Sequence, residues 1–378
     1  MLVYILTFVL SLLGVWIADM WHDDRERFFV GSVLAVLPPI IIAGLRDSIV
    51  GTDMEVYIVP VYNSVSSNGQ GLMEFFEAND DMEKGYLLLN YVFAQFTDEP
   101  FFLLTCIHTL IMVPLYVVAM KWRAQLSPVL FMFVFYMIFY QESLSIVRQS
   151  IALSFSMLAF TLFLERKYIY YILYMVLAFL FHQTAVIALS FPIIYFVIDK
   201  ISVRQAYLFY IGVAVATMLF FLNLDNILIS MIEGGLIDLK FLKYTTADNM
   251  FTPVLGAANL FVKVTIIAFA AYIMLVYKAD TLLKFFLVMA VLDMLFSLCA
   301  LIVSPLDRLS LYFRLVGCIS IPYLIYNYPV LFTDQDKPYN RPVEGIVCVI
   351  LFAYWFYVYM LGNYDDTADY QISSTLFI

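Results

Sequence analysis

Residues 140–150, YQESLSIVRQS, lie between two apolar runs, 128–139 and 151–164. Flanks this apolar belong in a lipid bilayer, so Arg148 sits at or near membrane depth. An ionisable group there costs about 2.5–3.5 kcal/mol on insertion scales. It persists by facing a protein interior or a wet cavity, normally with an anionic partner, or by snorkelling to the headgroups from a helix end. The first alternative makes Arg148 part of a site for a charged, lipid-linked ligand, with Glu142 and Gln149 beside it.

The rest of the chain agrees with a bilayer setting. Of its 378 residues 64% are hydrophobic and only 13% are charged, which sets it apart from soluble globular chains. Apolar segments recur at roughly 2–20, 29–45, 101–120, 128–140, 150–164, 168–181, 184–198, 206–221, 257–277, 284–304, 309–328 and 345–361. Several fall short of the ~20 residues that a full crossing needs. The expected fold is an all-α polytopic membrane protein of about 10–12 transmembrane helices, some short or re-entrant. It forms a single transmembrane domain over 1–378, with extracytoplasmic loops at 46–100 and 222–256. The N-terminal run lacks a basic n-region and a small-residue cleavage site, and reads as the first span. The four cysteines, Cys106, Cys299, Cys318 and Cys348, have no metal-type spacing and read as small buried side chains.

Lys and Arg follow every second segment: Arg25 and Arg27, Lys121 and Arg123, Arg166 and Lys167, Lys200 and Arg204, Lys278, then Lys337 and Arg341. The positive-inside rule makes these connections cytoplasmic, with both termini outside. The formal charge of −10 then loads onto the outer face. The 46–100 segment alone holds ten acidic residues against Arg46 and Lys84. Such a face disfavours nucleic acid.

Against that acidity, arginines at outer segment ends stand out: Arg46, Arg148, Arg308 and Arg314. Guanidinium stays charged and forks onto phosphate oxygens, which suits a pyrophosphate. On a helix, Asp307, Ser310, Leu311 and Arg314 share one stripe, and Arg308 pairs with Tyr312 one turn on. Asp307 then orients one of these arginines, or simply forms a structural ion pair. In 45–57, LRDSIVGTDMEVY, Gly51 allows a turn, Thr52 or Asp53 can cap a short helix, and Tyr57 lies one turn beyond Asp53. Asp53, and Glu83 in EKGYLLLNY, are candidate bases on a sugar hydroxyl, or else helix caps. FHQTA, 181–185, places His182 at the outer apex of two apolar arms, as a proton acceptor or phosphate ligand. His108 reads as a hydrogen-bonded packing residue. Lys263 and Asp293 are intramembrane charges that pair with each other or line a cavity. No nucleotide-binding or metal motif is present, so neither cofactor nor metal is expected.

The order of R-x4-GTD-x3-Y, EKGYLLLN, SIVRQSIA and FHQTA resembles the EpsG family of Wzy-like polysaccharide polymerases. The likeness covers roughly 40–200 well and continues as an arginine-led segment near Arg308. The resemblance implies a GT-C-like architecture in the bacterial cytoplasmic membrane. It implies an enzyme that joins undecaprenyl-pyrophosphate-linked glycan donor and acceptor on the outer face, as in O-antigen, capsule or exopolysaccharide assembly. A chain-length regulator and a flippase would be working partners. Arg46, Gly51, Asp53, Tyr57, Glu83, Arg148, Gln149, His182 and Arg308 match family motif positions. Three roles follow. Arg46, Arg148, Arg308 and Arg314 hold pyrophosphate; His182, ahead of Asp53 and Glu83, takes the acceptor proton; Tyr57, Glu142, Gln149 and Tyr312 contact substrate. A flippase for lipid-linked sugars and a membrane acyltransferase are the competing classes. The first wants polar groups along a through-path, and the second wants a histidine open to the cytoplasm.

Overall fold

A computed structural model describes residues 1–68, 71–223, 257–276, 280–300, 306–328 and 341–373, with a few isolated positions between 224 and 256. The expected loop 222–256 therefore lies almost wholly outside the described residues. Packing divides the chain into two compact units, Met1–Leu189 with Ile321–Ile378, and Ser190–Ser320.

Among the described residues the regular elements are helices, and eight helical runs are long and apolar enough to cross a membrane. Four shorter apolar helices join them. The chain is an all-α polytopic membrane protein.

Unit 1 begins with a hairpin of α1 (Leu2–Met20) and α2 (Arg25–Leu45). Asp24 starts α2 by accepting from the Glu26 and Arg27 amides, each at 3.1 Å, which satisfies two of the free donors at a helix start. Small residues at Gly14, Ala18, Gly31 and Ala35 let the two backbones touch, the usual means of packing helices in lipid. Next comes the segment expected as an outer loop. It is helical: a π-turn at Met54–Ile58, then α3 (Val59–Asn68), α4 (Leu72–Ala78) and α5 (Lys84–Ala94). Then follow α6 (Phe101–Lys121), α7 (Pro128–Ile138), α8 (Tyr140–Ser145), α9 (Val147–Leu164) and α10 (Tyr168–Phe181). Ser127 accepts from the Leu130 amide and Pro128 fills the first helical position, which fixes the start of α7. The path from α7 to α9 breaks twice, at Phe139 and Ile146, so α8 is a separate, buried turn and a half. Helix breaks at membrane depth are tolerated where protein covers them.

The central helix of unit 1 is α9, with 89% of its residues buried. α6 and α10 pack on it, and α10 turns its other face outward. On the far flank the Phe8 ring stacks on Tyr136 at 4.6 Å, joining α1 to α7.

Connections expected on one side of the membrane gather at one end of this unit. Arg123 Nε donates to Asp19 at 3.0 Å, and Lys121 donates to both oxygens of Glu165 at 2.8 and 2.9 Å. Lys167 joins Glu165 at 2.7 Å, and Asn327 donates to Gln125 O at 2.7 Å. Partial burial pushes the Glu165 carboxyl up. Its hydrogen bonds from Lys121 and Lys167 outweigh that and hold it below the ordinary carboxylate range. Tyr4, at the opposite end of α1, donates to Thr367 O at 2.7 Å.

Unit 2 takes in a 3-10 turn's continuation as α11 (Ser190–Lys200), then α12 (Val203–Leu222), α13 (Ala257–Val276), α14 (Thr281–Cys299) and α15 (Leu306–Leu315). Asp280 caps α14 through the Leu283 amide at 2.6 Å. Lys284, one turn later, donates to Ile198 O and Ile201 O at 2.8 Å each, tying α14 to the end of α11. The chain returns to unit 1 through α16 (Gly317–Asn327) and α17 (Arg341–Trp355), followed by a π-turn at Phe356–Leu361 and a 3-10 turn at Tyr364–Asp366.

Candidate functional site

Arg46 follows the last residue of α2, where backbone carbonyls lose their helical partners. It takes up two such groups. Its Nη1 donates to Ala43 O and its Nη2 to Leu144 O of α8, both at 2.9 Å. The guanidinium also reaches Met54 S and His108 Nε2 at 3.5 Å. His108 Nδ1 lies 3.0 Å from Leu104 O, so the neutral ring donates there and accepts from Arg46 through Nε2. Expected as a pyrophosphate ligand, Arg46 is only 2% exposed. Its geometry is that of a fastener between α2, α6 and α8, and its partners are already in place. His108 has a more specific job than the packing role expected of it.

The GTD turn lies on the same α8. Gly51 adopts φ +99°, and a Cβ there would stand 2.9 Å from Leu144 O. The position thus needs glycine for both conformation and space. Thr52 N donates to Ser145 Oγ at 3.0 Å. Asp53 stands at the start of the π-turn without capping it. Burial and the Asp53 carboxylate hold the Tyr57 phenol well above its ordinary range, so it stays protonated.

Over this turn run residues 362–373, which carry Asp365, Asp366 and Asp369 and no Lys or Arg. Asp47 N donates to Gln371 O at 2.9 Å, Gly51 N to Asp366 O at 3.2 Å, and Ser373 N to Leu45 O at 2.9 Å. Arg46 and Ile372 form an antiparallel bridge, and Tyr370 OH donates to Ile42 O at 2.9 Å. Asn363, Asp365 and Asp366 have left-handed φ of 46°, 61° and 53°, a tight reversal that polar side chains tolerate best.

Arg148 occupies the first turn of α9. Its Nη1 donates to Glu83 Oε2 at 2.6 Å, and Glu83 Oε1 accepts from the Gln183 amide at 3.2 Å. Glu83 sits at the start of α5 but does not cap it; its carboxylate turns to Arg148 instead. Two residues on, Gly85 lets α5 lie against the end of α10, where a Cβ would stand 2.6 Å from Leu180 O. That approach brings Glu83 within reach of Gln183. The guanidinium stacks over Tyr57 at 4.7 Å and faces Tyr86 at 5.7 Å, an arrangement worth about 0.5–2 kcal/mol per ring. The pair is partly open: the Arg148 side chain is 19% exposed and that of Glu83 10%.

His182 ends α10 in an extended conformation. Its Nδ1 accepts from Thr184 N at 3.3 Å and lies 2.6 Å from Thr184 Oγ1. A neutral ring accepting at Nδ1 carries its proton on Nε2, which makes it a donor in this geometry. Unit 1 therefore brings together Asp53, Tyr57, Glu83, Arg148 and His182. Glu142 and Gln149 are 5% and 2% exposed, inside the α8–α9 break and away from open surface. Gln141 beside them is wholly buried, with neither amide atom hydrogen-bonded.

The other candidates belong to unit 2. Arg308 is exposed on α15, whereas Tyr312 is buried. Arg314 Nη2 donates to Asp307 Oδ1 at 3.1 Å and Ser310 Oγ at 2.9 Å, and its Nε lies 3.4 Å from Asp293 Oδ1. Asp293 also accepts from Lys263 Nζ at 2.5 Å, and Ser297 adds a further contact to Lys263. The stripe of Asp307, Ser310 and Arg314 is as the helical spacing predicts, and Lys263 and Asp293 pair with each other. Arg314, expected to hold pyrophosphate, instead completes this charge-balanced network.

Sequence reasoning missed Tyr86, the Gln183 amide, the Arg46–His108 contact and the returning 362–373 segment. The GY pair was the signal for Tyr86; backbone partners leave none. Among the described residues no cluster of three or more metal-ligating side chains occurs.

No curated protein and no solved structure matches the chain. A family model described as the EpsG family matches residues 30–372, which takes in the GTD turn, Glu83, Arg148, His182 and the returning segment alike. The chain belongs to the EpsG family, whose members are Wzy-like polymerases.

Proposed function

We propose that this protein polymerises oligosaccharide repeat units carried on undecaprenyl pyrophosphate, on the outer face of a bacterial cytoplasmic membrane, with both termini on that face. One observation carries the reading: in an EpsG-family chain, a guanidinium at the head of the central helix lies against a pair of tyrosine rings, partly open, one carboxylate away from the corner at His182. The donor sugar is already activated by its diphosphate, so the transfer needs no nucleotide. Charge grows on the departing diphosphate, and preorganised donors aimed at it are usually the largest catalytic contribution. Arg148 supplies the fixed positive charge, and His182, protonated at Nε2, supplies a further donor. Proton removal from the acceptor hydroxyl then falls to Asp53 or Glu83. Tyr57, only partly buried, offers an aromatic edge to a sugar. Arg46 positions α8 and the GTD turn without touching substrate.

The test is the glycan of a deletion strain. Loss of the polymer ladder, with single repeat units left on the lipid carrier outside, supports the polymerase. Lipid-linked repeats trapped on the cytoplasmic side would instead favour a flippase and overturn it.

A further inference from the structure

The two groups on which the proposed chemistry most depends hold each other. Glu83 spans two donors from different elements, Arg148 Nη1 on α9 and the Gln183 amide beyond α10. A diphosphate bridging these donors would use the same positions, because carboxylate and phosphate oxygens share the fork geometry of guanidinium. The Arg148 side chain is 19% exposed against 9% for Arg314, so an incoming anion can reach its guanidinium.

We propose that Glu83 is the internal anion of this site: it occupies Arg148 until a diphosphate displaces it, and the freed carboxylate then serves as the proton acceptor. The proposal rests on the polymerase reading. It resolves a conflict in the geometry, since Arg148 Nη1 and the Gln183 backbone amide each take one Glu83 oxygen that an acceptor hydroxyl would need, and a guanidinium held by a carboxylate is a poor phosphate ligand. Exchange repairs both at once. The acceptor's O–H proton passes to the Glu83 carboxylate, and the acceptor oxygen bonds to the donor's anomeric carbon. The bond from that carbon to the diphosphate oxygen breaks, and its electron pair leaves on the lipid diphosphate beside Arg148. With no donor bound, the base stays tied up and no acceptor hydroxyl is activated.

The experiment uses the purified full chain and inorganic pyrophosphate, titrated calorimetrically, with the glycan ladder scored in cells. Glu83→Gln removes the competing charge, so pyrophosphate should bind roughly tenfold or more tightly, within the usual range of site-to-site coupling. The same variant should make no polymer at normal protein level. Unchanged or weaker binding overturns the exchange, because a carboxylate that merely orients Arg148 would weaken the site when lost. Tighter binding with a normal ladder overturns the proton-acceptor role. On the unmodified protein, saturating pyrophosphate should shift a carboxylate band in the difference infrared spectrum, a measurement that does not depend on any variant folding. No shift overturns the exchange even if the deletion strain still identifies a polymerase, so the two readings fail separately.

Discussion

Two arginines in helices long and apolar enough to cross a membrane, Arg148 in unit 1 and Arg314 in unit 2, are handled in opposite ways. Arg314 has two carboxylates, a serine hydroxyl and the neighbouring Lys263 in one network, with two cations balancing two anions, and its side chain is 9% exposed. Arg148 has one carboxylate, two aromatic faces and twice that exposure. Neutralising a buried charge from all sides ties helices together and leaves little to exchange. Neutralising it from one side leaves a partner that a stronger anion can replace. On the proposed function, one of these arginines is used for construction and the other for binding, and the number of partners separates the two.

The sharpest break in that comparison would come from Arg148→Ala. Polymer should vanish while folded protein still accumulates in membranes, with a melting temperature lowered by the lost ion pair and ring contacts; long chains from this variant would remove Arg148 from the chemistry. Asp293→Ala should do the reverse. It strands Lys263 and Arg314 with a single carboxylate, and breaking a buried pair destabilises by about 3–5 kcal/mol. The readout is a loss of folded protein in membranes, and a stable, abundant variant would show the network to be dispensable. Gly51→Ala tests the support that α8 gives at the approach to Arg148: the strained backbone and the contact with Leu144 O should cost of order 1–3 kcal/mol, seen as a lower melting temperature with α8 displaced. The smallest effect belongs to Glu165. Its folded pKa is depressed, so its contribution is present above the unfolded pKa and is lost as pH falls through the folded one. Glu165→Gln should flatten the loss of stability on acidification below the ordinary carboxylate range, by a fraction of what an exposed ion pair gives, about 1 kcal/mol or less.

The alternation of basic connections was legible because charge and length alone determine it, and the helix-end contacts of unit 1 repeat it. The stripe on α15 was legible because i, i+3 and i+7 positions lie on one face of a helix. Arg46 shows where sequence stops. An arginine at a helix end reads as surface whether it faces water or caps carbonyls, and only Leu144 O and Ala43 O, which have no sequence signature, decide between them. The Arg148–Glu83 pair joins residues 65 positions apart, beyond any local periodicity. The helices α3 to α5 were hidden by their acidity, which marks a solvated segment without fixing its backbone.

The segment 362–373 closes over a turn made some three hundred residues earlier. During synthesis the first ten dozen residues can insert and pair among themselves, but Arg46 and the GTD turn lack part of their backing until the ribosome has passed Ser373. The surroundings of Arg46 are in this way finished late, by backbone that emerges some three hundred residues after them.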